Sequence, residues 1–250
     1  MRNYKTIRIY INSPISKNQI IELDKNHYNY LKNVMRKKIS DVITIFNGED
    51  GQWSCEINML DKNNTTLIAL EQTKEQKSEP DIWLIFALVK SKNDFIGEKA
   101  TELGVSKILP IISDHSVVSK LNINRLKANV IEASEQCERL TIPDVDEPLK
   151  LNKLLENWDE TRQIIMCDES GGGSTAKDVL PTLKGHKFAT LIGPEGGFSA
   201  AELAQLHKLP YVTPISMGAR ILKADTAVIS ALTLMQEHLG DFNEIPEFKL

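Results

Sequence analysis

The pattern of apolar and polar residues divides the chain near residue 80. Before that point, short runs rich in β-branched and aromatic residues occur at 7–11, 42–46 and 66–70, with Asn47-Gly48 and Asp50-Gly51 as turn signals. Such runs and turns are typical of strands. Leu31, Val34 and Met35 follow helical spacing and predict one helix over 27–37. Residues 1–72 are therefore predicted to form a small β-rich domain.

After residue 80 the runs become longer and fully apolar. Residues 82–89 (IWLIFALV) have no polar position, as expected for a strand buried on both faces of a parallel sheet. A helical pattern over 95–103 ends at Gly104, a typical C-terminal stop. Further strands are predicted at 107–112, 163–167, 188–192 and 211–216, and further helices at 123–140, 200–207 and 225–239. This alternation predicts an α/β domain with helices on both faces of its sheet.

The polar stretch 73–79 (TKEQKSE) separates the two patterns and is predicted to be a linker, which makes 80–250 the second domain. The 250 residues are 41% hydrophobic and 26% charged, values typical of a globular protein with its own core. No apolar run approaches the roughly 20 residues of a membrane span, and the N-terminus lacks a signal-peptide core. The expected location is the cytoplasm, with no membrane partner.

Charge is distributed unevenly between the two parts. The net charge is −4, but residues 1–72 hold ten basic and eight acidic side chains, so that the remainder carries the acidic excess. Lys32, Arg36, Lys37 and Lys38 form a stretch with no acid before Asp41. This stretch is compatible with phosphate binding or with a solvated helix face followed by a basic turn, and charge alone favours the second.

Metal and disulfide chemistry find no support in the sequence. The three cysteines are odd in number and far apart, and the five histidines show no ligand spacing. We therefore predict no metal site and no disulfide framework.

The segment LIGPEGGFS, residues 191–199, is the first candidate binding loop. A buried strand runs into a glycine-rich turn, and Ser199 with Glu202 then forms a capping box that opens a helix. Glycines allow the backbone to approach a ligand such as adenine closely. The spacing fits neither the dinucleotide fingerprint nor the P-loop. The pattern alone is equally compatible with a structural turn.

The second candidate loop is MGARILKADTA, residues 217–227, which also joins a predicted strand to a helix. It carries two cations, Arg220 and Lys223, and one carboxylate, Asp225. Ligands in α/β sheets bind at the carboxyl ends of strands, so this loop should emerge beside the first one. Asp225 as a simple helix N-cap is the alternative. The run GGGS at 171–174 is predicted to be a connecting loop.

These two loops together resemble the signature pair of the RsmE-type 16S rRNA (uracil-N3)-methyltransferases of the SPOUT superfamily. KATELGV at 99–105 with Pro110, and EQCER at 135–139 with Pro143, are similar to two further segments of that family. In the small domain, Arg8-Ile9-Tyr10 and His27 with LKNVMR at 31–36 resemble its PUA-like RNA-binding module. Five motifs in the family's order are specific where any one alone is not.

The resemblance implies a SPOUT domain with a C-terminal trefoil knot, preceded by a PUA-like domain. It implies S-adenosylmethionine as cofactor, a homodimer with the site near its interface, and one uridine in the decoding region of 16S rRNA as target in the assembled small subunit. The implied cofactor-binding residues are Leu191, Ile192, Gly193, Gly196, Gly197, Ser216, Met217, Gly218, Ile221 and Leu222.

Roles for the charged residues follow from this reaction as hypotheses. Arg220 and Lys223 are expected to stabilise charge on the uracil or on a neighbouring phosphate, with Arg220 catalytic and Lys223 in contact with the RNA. Asp225 is the nearest candidate base or orienting group, and Glu195 is the second. The other expected RNA contacts are Arg8, Arg36, Lys37 and Arg139.

The chain departs from the family pattern LGxRILRxETA at Met217, Lys223 and Asp225. Lysine lacks the planar fork of arginine, so its contact with phosphate or uracil differs. Two alternatives therefore stay open: a SPOUT methyltransferase with another RNA target, and an RNA-binding assembly factor with weakened catalysis. A nucleotide-binding module of unrelated fold is disfavoured because the two loops and the outlying motifs agree.

Overall fold

The computed structural model describes residues 7–245, which divide into two compact units. The first unit contains residues up to 78 together with 134–141, and the second contains 79–133 and 142–245. The division falls inside the stretch 73–79, although a strand continues through its first two residues, to Lys74. The sequence did not indicate that 134–141 belongs to the first unit.

The first unit is built on a five-stranded sheet in the order β1-β3-β4-β5-β2. Strands β1 and β3 are parallel, and the other neighbours are antiparallel. Gly48 and Gly51 turn the chain between β3 and β4 with φ of 89° and 73°, as their turn signals predict. The strands are β1 Arg8–Tyr10, β2 Ile20–Leu23, β3 Val42–Phe46, β4 Gln52–Asp61 and β5 Asn64–Lys74.

The helical segment of this unit differs from the single helix predicted over 27–37. Helix α1, Lys25–Asn29, is capped by the Asp24 carboxylate and continues as a π-helical turn, Tyr30–Val34. The prediction fails at its end because Arg36 has a left-handed backbone, with φ 53°. Of the three apolar side chains, Leu31 is buried, whereas Val34 and Met35 are exposed.

The second unit has an eight-stranded parallel sheet within the described residues, in the order β11-β13-β10-β12-β6-β7-β8, with β9 also paired to β7. The predicted α/β class is confirmed. The strands are β6 Asp81–Ala87, β7 Lys107–Ile112, β8 Asp144–Val145, β9 Leu149–Lys150, β10 Gln163–Cys167, β11 Ser174–Thr175, β12 Lys187–Ile192 and β13 Val212–Ser216.

Helices cover both faces of this sheet, as the fully apolar strands require. Along β6, Leu84 and Phe86 pack into a core with α2, α3, α5 and α7, whereas Ile85 faces a second core with α4 and α6. The helices are α2 Asn93–Glu102, α3 Ile123–Cys137, α4 Leu151–Glu156, α5 Ala176–Val179, α6 Ala200–Leu206 and α7 Ala224–Leu239.

Two helix ends are set by left-handed residues. Gly104 follows α2 with φ 76°, as predicted, and Glu138 follows α3 with φ 65°, so α3 ends three residues before the predicted position. Strand adjacency does not trace a knot, so the trefoil knot stays a prediction.

Candidate functional site

A cavity of about 180 Å³ opens at the carboxyl ends of β10 and β13. The two strands are parallel neighbours, so the loops that follow them emerge at the same edge of the sheet, as the sequence predicted for a ligand site. The lining residues are Cys167, Asp168, Glu169, Gly171, Ser216, Met217, Gly218, Ala219, Arg220, Ile221, Leu222 and Ala227.

The second candidate loop supplies most of this lining. Five of the ten expected cofactor-binding residues line the cavity: Ser216, Met217, Gly218, Ile221 and Leu222. The other five belong to the first loop. Leu191 and Ile192 are buried at the end of β12, the other neighbour of β10, and Gly193, Gly196 and Gly197 lie in the turn that follows.

The glycine turn lies close to the cavity loop at one point. A Cβ on Gly197 would stand 2.2 Å from Oε1 of Glu169, which lines the cavity, and Gly197 has φ 67°. A side chain at 197 would therefore strain the backbone and would require the Glu169 carboxylate to move. The left-handed backbone of the turn is what favours glycine at this position.

The predicted capping box after the turn is present. The Ser199 Oγ accepts from the Glu202 backbone N–H, and the Ser199 N–H donates to Glu202 Oε2 at 2.8 Å. The other carboxylate oxygen of Glu202 accepts from the Asp114 N–H at 2.9 Å. The box thus ties the start of α6 to the loop after β7 as well as closing the helix end.

Asp225 is not the N-cap of α7, because Lys223 occupies that position and Asp225 lies in the first turn. Its carboxylate accepts a hydrogen bond from Lys92 Nζ at 2.5 Å. This bond is the main cause that lowers the pKa of Asp225, outweighing the opposite effect of its burial. Asp225 is therefore anionic at neutral pH and a weaker proton acceptor than a free aspartate.

Arg220 and Lys223 carry exposed side chains on the same loop. Within residues 7–245, neither side chain forms an ion pair or a hydrogen bond, so both cations are available to an anionic ligand. Glu195, on the glycine turn, is also exposed, and its Oε1 accepts from the Lys90 backbone N–H at 3.1 Å.

Sequence analysis did not single out three charged residues near this site: Lys92, Asp168 and Glu169. Asp168 and Glu169 directly follow β10, and Lys92 comes shortly after β6, where it precedes α2 with φ 74°. Their position after apolar strands is the signal that could have revealed them, since the carboxyl ends of parallel strands share one edge.

In the first unit, Arg36 is exposed and Lys37 is half-buried, both just after the π-helical turn. Arg139 is half-buried, and its Nη2 donates to Thr141 Oγ1 at 3.1 Å. These placements leave the three as expected RNA contacts without testing that role.

Arg8, also an expected RNA contact, is buried. Its guanidinium donates to the Ser134 carbonyl at 2.7 Å and to the Arg139 carbonyl, and lies 3.6 Å from the centre of the Phe46 ring. Its Nε donates to Gln52 Oε1 at 2.9 Å. These donors bind the protein itself, so the structure does not support a phosphate contact and gives Arg8 a role in holding 134–141.

The cysteines have no disulfide partner. Cys55 and Cys167 are buried, which raises the pKa of each thiol to about 12, whereas Cys137 is exposed. Among residues 7–245, no group of three or more His, Cys, Asp or Glu side chains is placed to hold a metal ion. No helix in that range is long and apolar enough to cross a membrane.

Comparison with known proteins identifies both parts of the chain. A sequence profile described as RNA methyltransferase domain matches residues 76–236, and one described as RNA methyltransferase PUA domain matches residues 23–70. Ribosomal RNA small subunit methyltransferase E of Rickettsia conorii is 35% identical, over 90% of this chain and 93% of the relative. The same protein of Buchnera aphidicola from Schizaphis graminum is 33% identical, over 94% and 98%.

Solved structures agree with the sequence relatives. The structure of ribosomal RNA small subunit methyltransferase E from Neisseria gonorrhoeae, bound to S-adenosylmethionine, has a TM-score of 0.85 and 27% identity, covering 95% of this chain and 99% of its own. A methyltransferase from Legionella pneumophila, in complex with the same cofactor, has a TM-score of 0.85 and 28% identity with the same coverage. The chain belongs to the ribosomal RNA small subunit methyltransferase E family, the RsmE-type SPOUT methyltransferases that its motifs resemble.

Proposed function

We propose that this protein transfers the methyl group of S-adenosylmethionine to N3 of one uridine in the decoding region of 16S rRNA, within the assembled small subunit. The observation that carries the proposal is the cavity at the carboxyl ends of β10 and β13, beside the glycine turn. It occurs in a chain whose relatives from Neisseria and Legionella were solved with that cofactor.

The walls of the cavity suit this cofactor. Gly218 and Ala219 let a ligand approach the backbone closely, while Met217 and Leu222 supply apolar surface for an adenine ring. Gly197 keeps the neighbouring turn free of a side chain. When bound, the cofactor supplies a methyl group already activated on a sulfonium, so the protein's task is mainly to position the two reactants.

Arg220 is the residue we assign to stabilisation of the reacting base. N3 of uracil must lose its proton, and the resulting negative charge spreads onto the flanking carbonyl oxygens. The Arg220 side chain lines the cavity and has no partner among the described residues, so its guanidinium is available to donate to such an oxygen. Lys223, three residues on and also exposed, is assigned to a neighbouring phosphate.

Asp225 is assigned an orienting role in preference to that of a base. Its hydrogen bond from Lys92 lowers its pKa, which makes it a poor acceptor for the imide proton. The exposed carboxylate of Glu195 is then the better candidate to accept that proton, directly or through water. Asp225 would hold Lys92 near the substrate side of the loop.

Contacts with RNA outside the site are assigned to Arg36, Lys37 and Arg139, in addition to Lys223. Each phosphate contact adds to the salt dependence of binding, so their loss should weaken affinity and flatten its dependence on salt. A homodimer is proposed on the family resemblance alone.

The test uses purified small subunits that lack the modification, labelled S-adenosylmethionine, and the Arg220→Ala and Arg220→Lys variants. We expect wild-type protein to label the subunits and Arg220→Ala to lower kcat by about 100-fold, with Arg220→Lys between them. Cofactor affinity, measured by calorimetry, should change by less than about threefold. Full labelling by Arg220→Ala would remove Arg220 from the reaction, and a wild-type protein that binds no cofactor would contradict the enzyme assignment.

A further inference from the structure

The cavity has an acidic wall that neither loop motif contributes. Asp168 and Glu169 follow β10 directly, and both line the cavity. Among the described lining residues, the only other charged side chain is that of Arg220. The lining thus contains two acidic residues and one basic residue, which gives it a net negative charge.

Asp168 is an unusual residue to find there because its side chain has no exposed surface. Its Oδ1 accepts from the Ser170 N–H at 2.8 Å. Its Oδ2 lies 3.0 Å from His207 Nε2, with which it forms an ion pair when the ring is protonated. Asp168 is therefore held within the protein, and Glu169 is the carboxylate of this wall that a ligand can reach.

Glu169 extends the same wall toward the glycine turn. Its Oε1 lies over Gly197, at the position that a Cβ there would approach to 2.2 Å. No ion pair or side-chain hydrogen bond engages its carboxylate within residues 7–245. Glu169 thus presents an unpaired negative charge where the two loops meet.

We propose that Glu169, next to the buried carboxylate of Asp168, receives a cationic group of S-adenosylmethionine, an inference that rests on the proposed function. The cofactor carries two such groups, the sulfonium and the α-ammonium. Carboxylates that are partly withdrawn from water favour a cation over a neutral donor. If the sulfonium is the group received, the wall also weakens binding of the demethylated product, whose sulfur is neutral, and so assists its release.

Calorimetric titration with three ligands tests this proposal on the full chain. S-adenosylmethionine has both cations, S-adenosylhomocysteine retains only the ammonium, and 5′-methylthioadenosine has neither. The variants are Glu169→Gln and Asp168→Asn. The matched control is Glu156→Gln, an exposed carboxylate on α4 that pairs with Lys153 and lies outside the cavity lining.

We expect Glu169→Gln to lower the affinity for S-adenosylmethionine by about five- to tenfold and to change the affinity for 5′-methylthioadenosine by less than about twofold. The control variant should bind S-adenosylmethionine within about twofold of wild type. A lower affinity for S-adenosylmethionine alone supports contact with the sulfonium. An equal loss of affinity for S-adenosylmethionine and S-adenosylhomocysteine supports contact with the ammonium. Equal affinities for wild type and Glu169→Gln, or a uniform loss for all three ligands, would overturn the proposal.

Loss of folding and failure of the proposed function can each be distinguished from failure of this proposal. Glu169 is exposed, so Glu169→Gln decides the question even if Asp168→Asn proves unstable in a thermal unfolding control. A wild-type protein that binds S-adenosylmethionine with no difference between variants overturns only the acidic wall. A wild-type protein that does not bind it overturns the proposed function, and the wall with it.

Discussion

Replacement of Arg8 by methionine should destabilise the protein rather than remove an RNA contact. Methionine keeps part of the apolar stem but none of the donors that bind the Ser134 and Arg139 carbonyls and Gln52. It also removes the cation that lies 3.6 Å from the Phe46 ring centre. Buried carbonyls would be left without this donor, and residues 134–141 would lose one of their contacts with the rest of the first unit.

The expected cost follows from these contacts. A buried hydrogen-bond acceptor that loses its partner costs about 1–3 kcal/mol, and a buried cation over an aromatic ring contributes up to about 2 kcal/mol. Because these terms are not additive, we expect Arg8→Met to lower the free energy of unfolding by about 3–5 kcal/mol, which is less than the sum of the lost hydrogen bonds and the ring contact. Arg8→Lys, which can reach only some of the acceptors, should fall between wild type and Arg8→Met.

Urea unfolding followed by circular dichroism and by tryptophan fluorescence measures this loss. Trp53 lies in the first unit and Trp83 and Trp158 in the second, so a transition limited to the first unit would separate the two signals. The matched control is Arg36→Met, the same change at an exposed position, which should alter stability by less than about 0.5 kcal/mol. If Arg8→Met unfolds like wild type and loses RNA affinity as Arg36→Met does, Arg8 is a phosphate contact and the structural role is wrong.

Three other predictions concern the second unit and the cysteines. Lys92→Met should lower the free energy of unfolding by about 0.5–1 kcal/mol at pH 7. Because folding lowers the pKa of Asp225, the ion pair stabilises the protein above pH of about 4. The difference between variant and wild type should therefore shrink as the pH falls below that value, which urea midpoints at several pH values will show. Gly104→Ala should cost about 2–3 kcal/mol, since φ is 76° and the new Cβ would stand 2.6 Å from Gln236 Nε2, and an unchanged melting temperature would refute this. Brief treatment of native protein with iodoacetamide at pH 8 should add one label, at the exposed Cys137, and labelling of the two buried thiols would contradict their raised pKa.

Most of the second unit could be predicted because its strands are apolar at nearly every position. The run IWLIFALV indicated β6, and the glycine-containing segments after β12 and β13 indicated the two candidate loops. The short helices α4 and α5, of six and four residues, gave no periodic pattern long enough to detect. Local propensity is a weak signal at that length.

Non-local contacts account for what the sequence did not reveal. Segment 134–141 joins the first unit through bonds from Arg8 to backbone carbonyls, and carbonyls have no sequence signature. The same reason explains why Arg8 was predicted to contact RNA. At the site, five of the ten expected cofactor-binding residues line the cavity. Lys92 and Asp168 could be placed at the same edge only once the strand order was known.

Nucleoside mass spectrometry of small-subunit rRNA can show whether this protein methylates N3 of a uridine there. The rRNA would be isolated from a strain that lacks the gene, from the same strain with the wild-type gene restored, and from one carrying Arg220→Ala. We expect 3-methyluridine to be absent from the deletion strain, restored by the wild-type gene and strongly reduced with Arg220→Ala. Persistence of 3-methyluridine in the deletion strain, or loss of a different methylated nucleoside in its place, would contradict it.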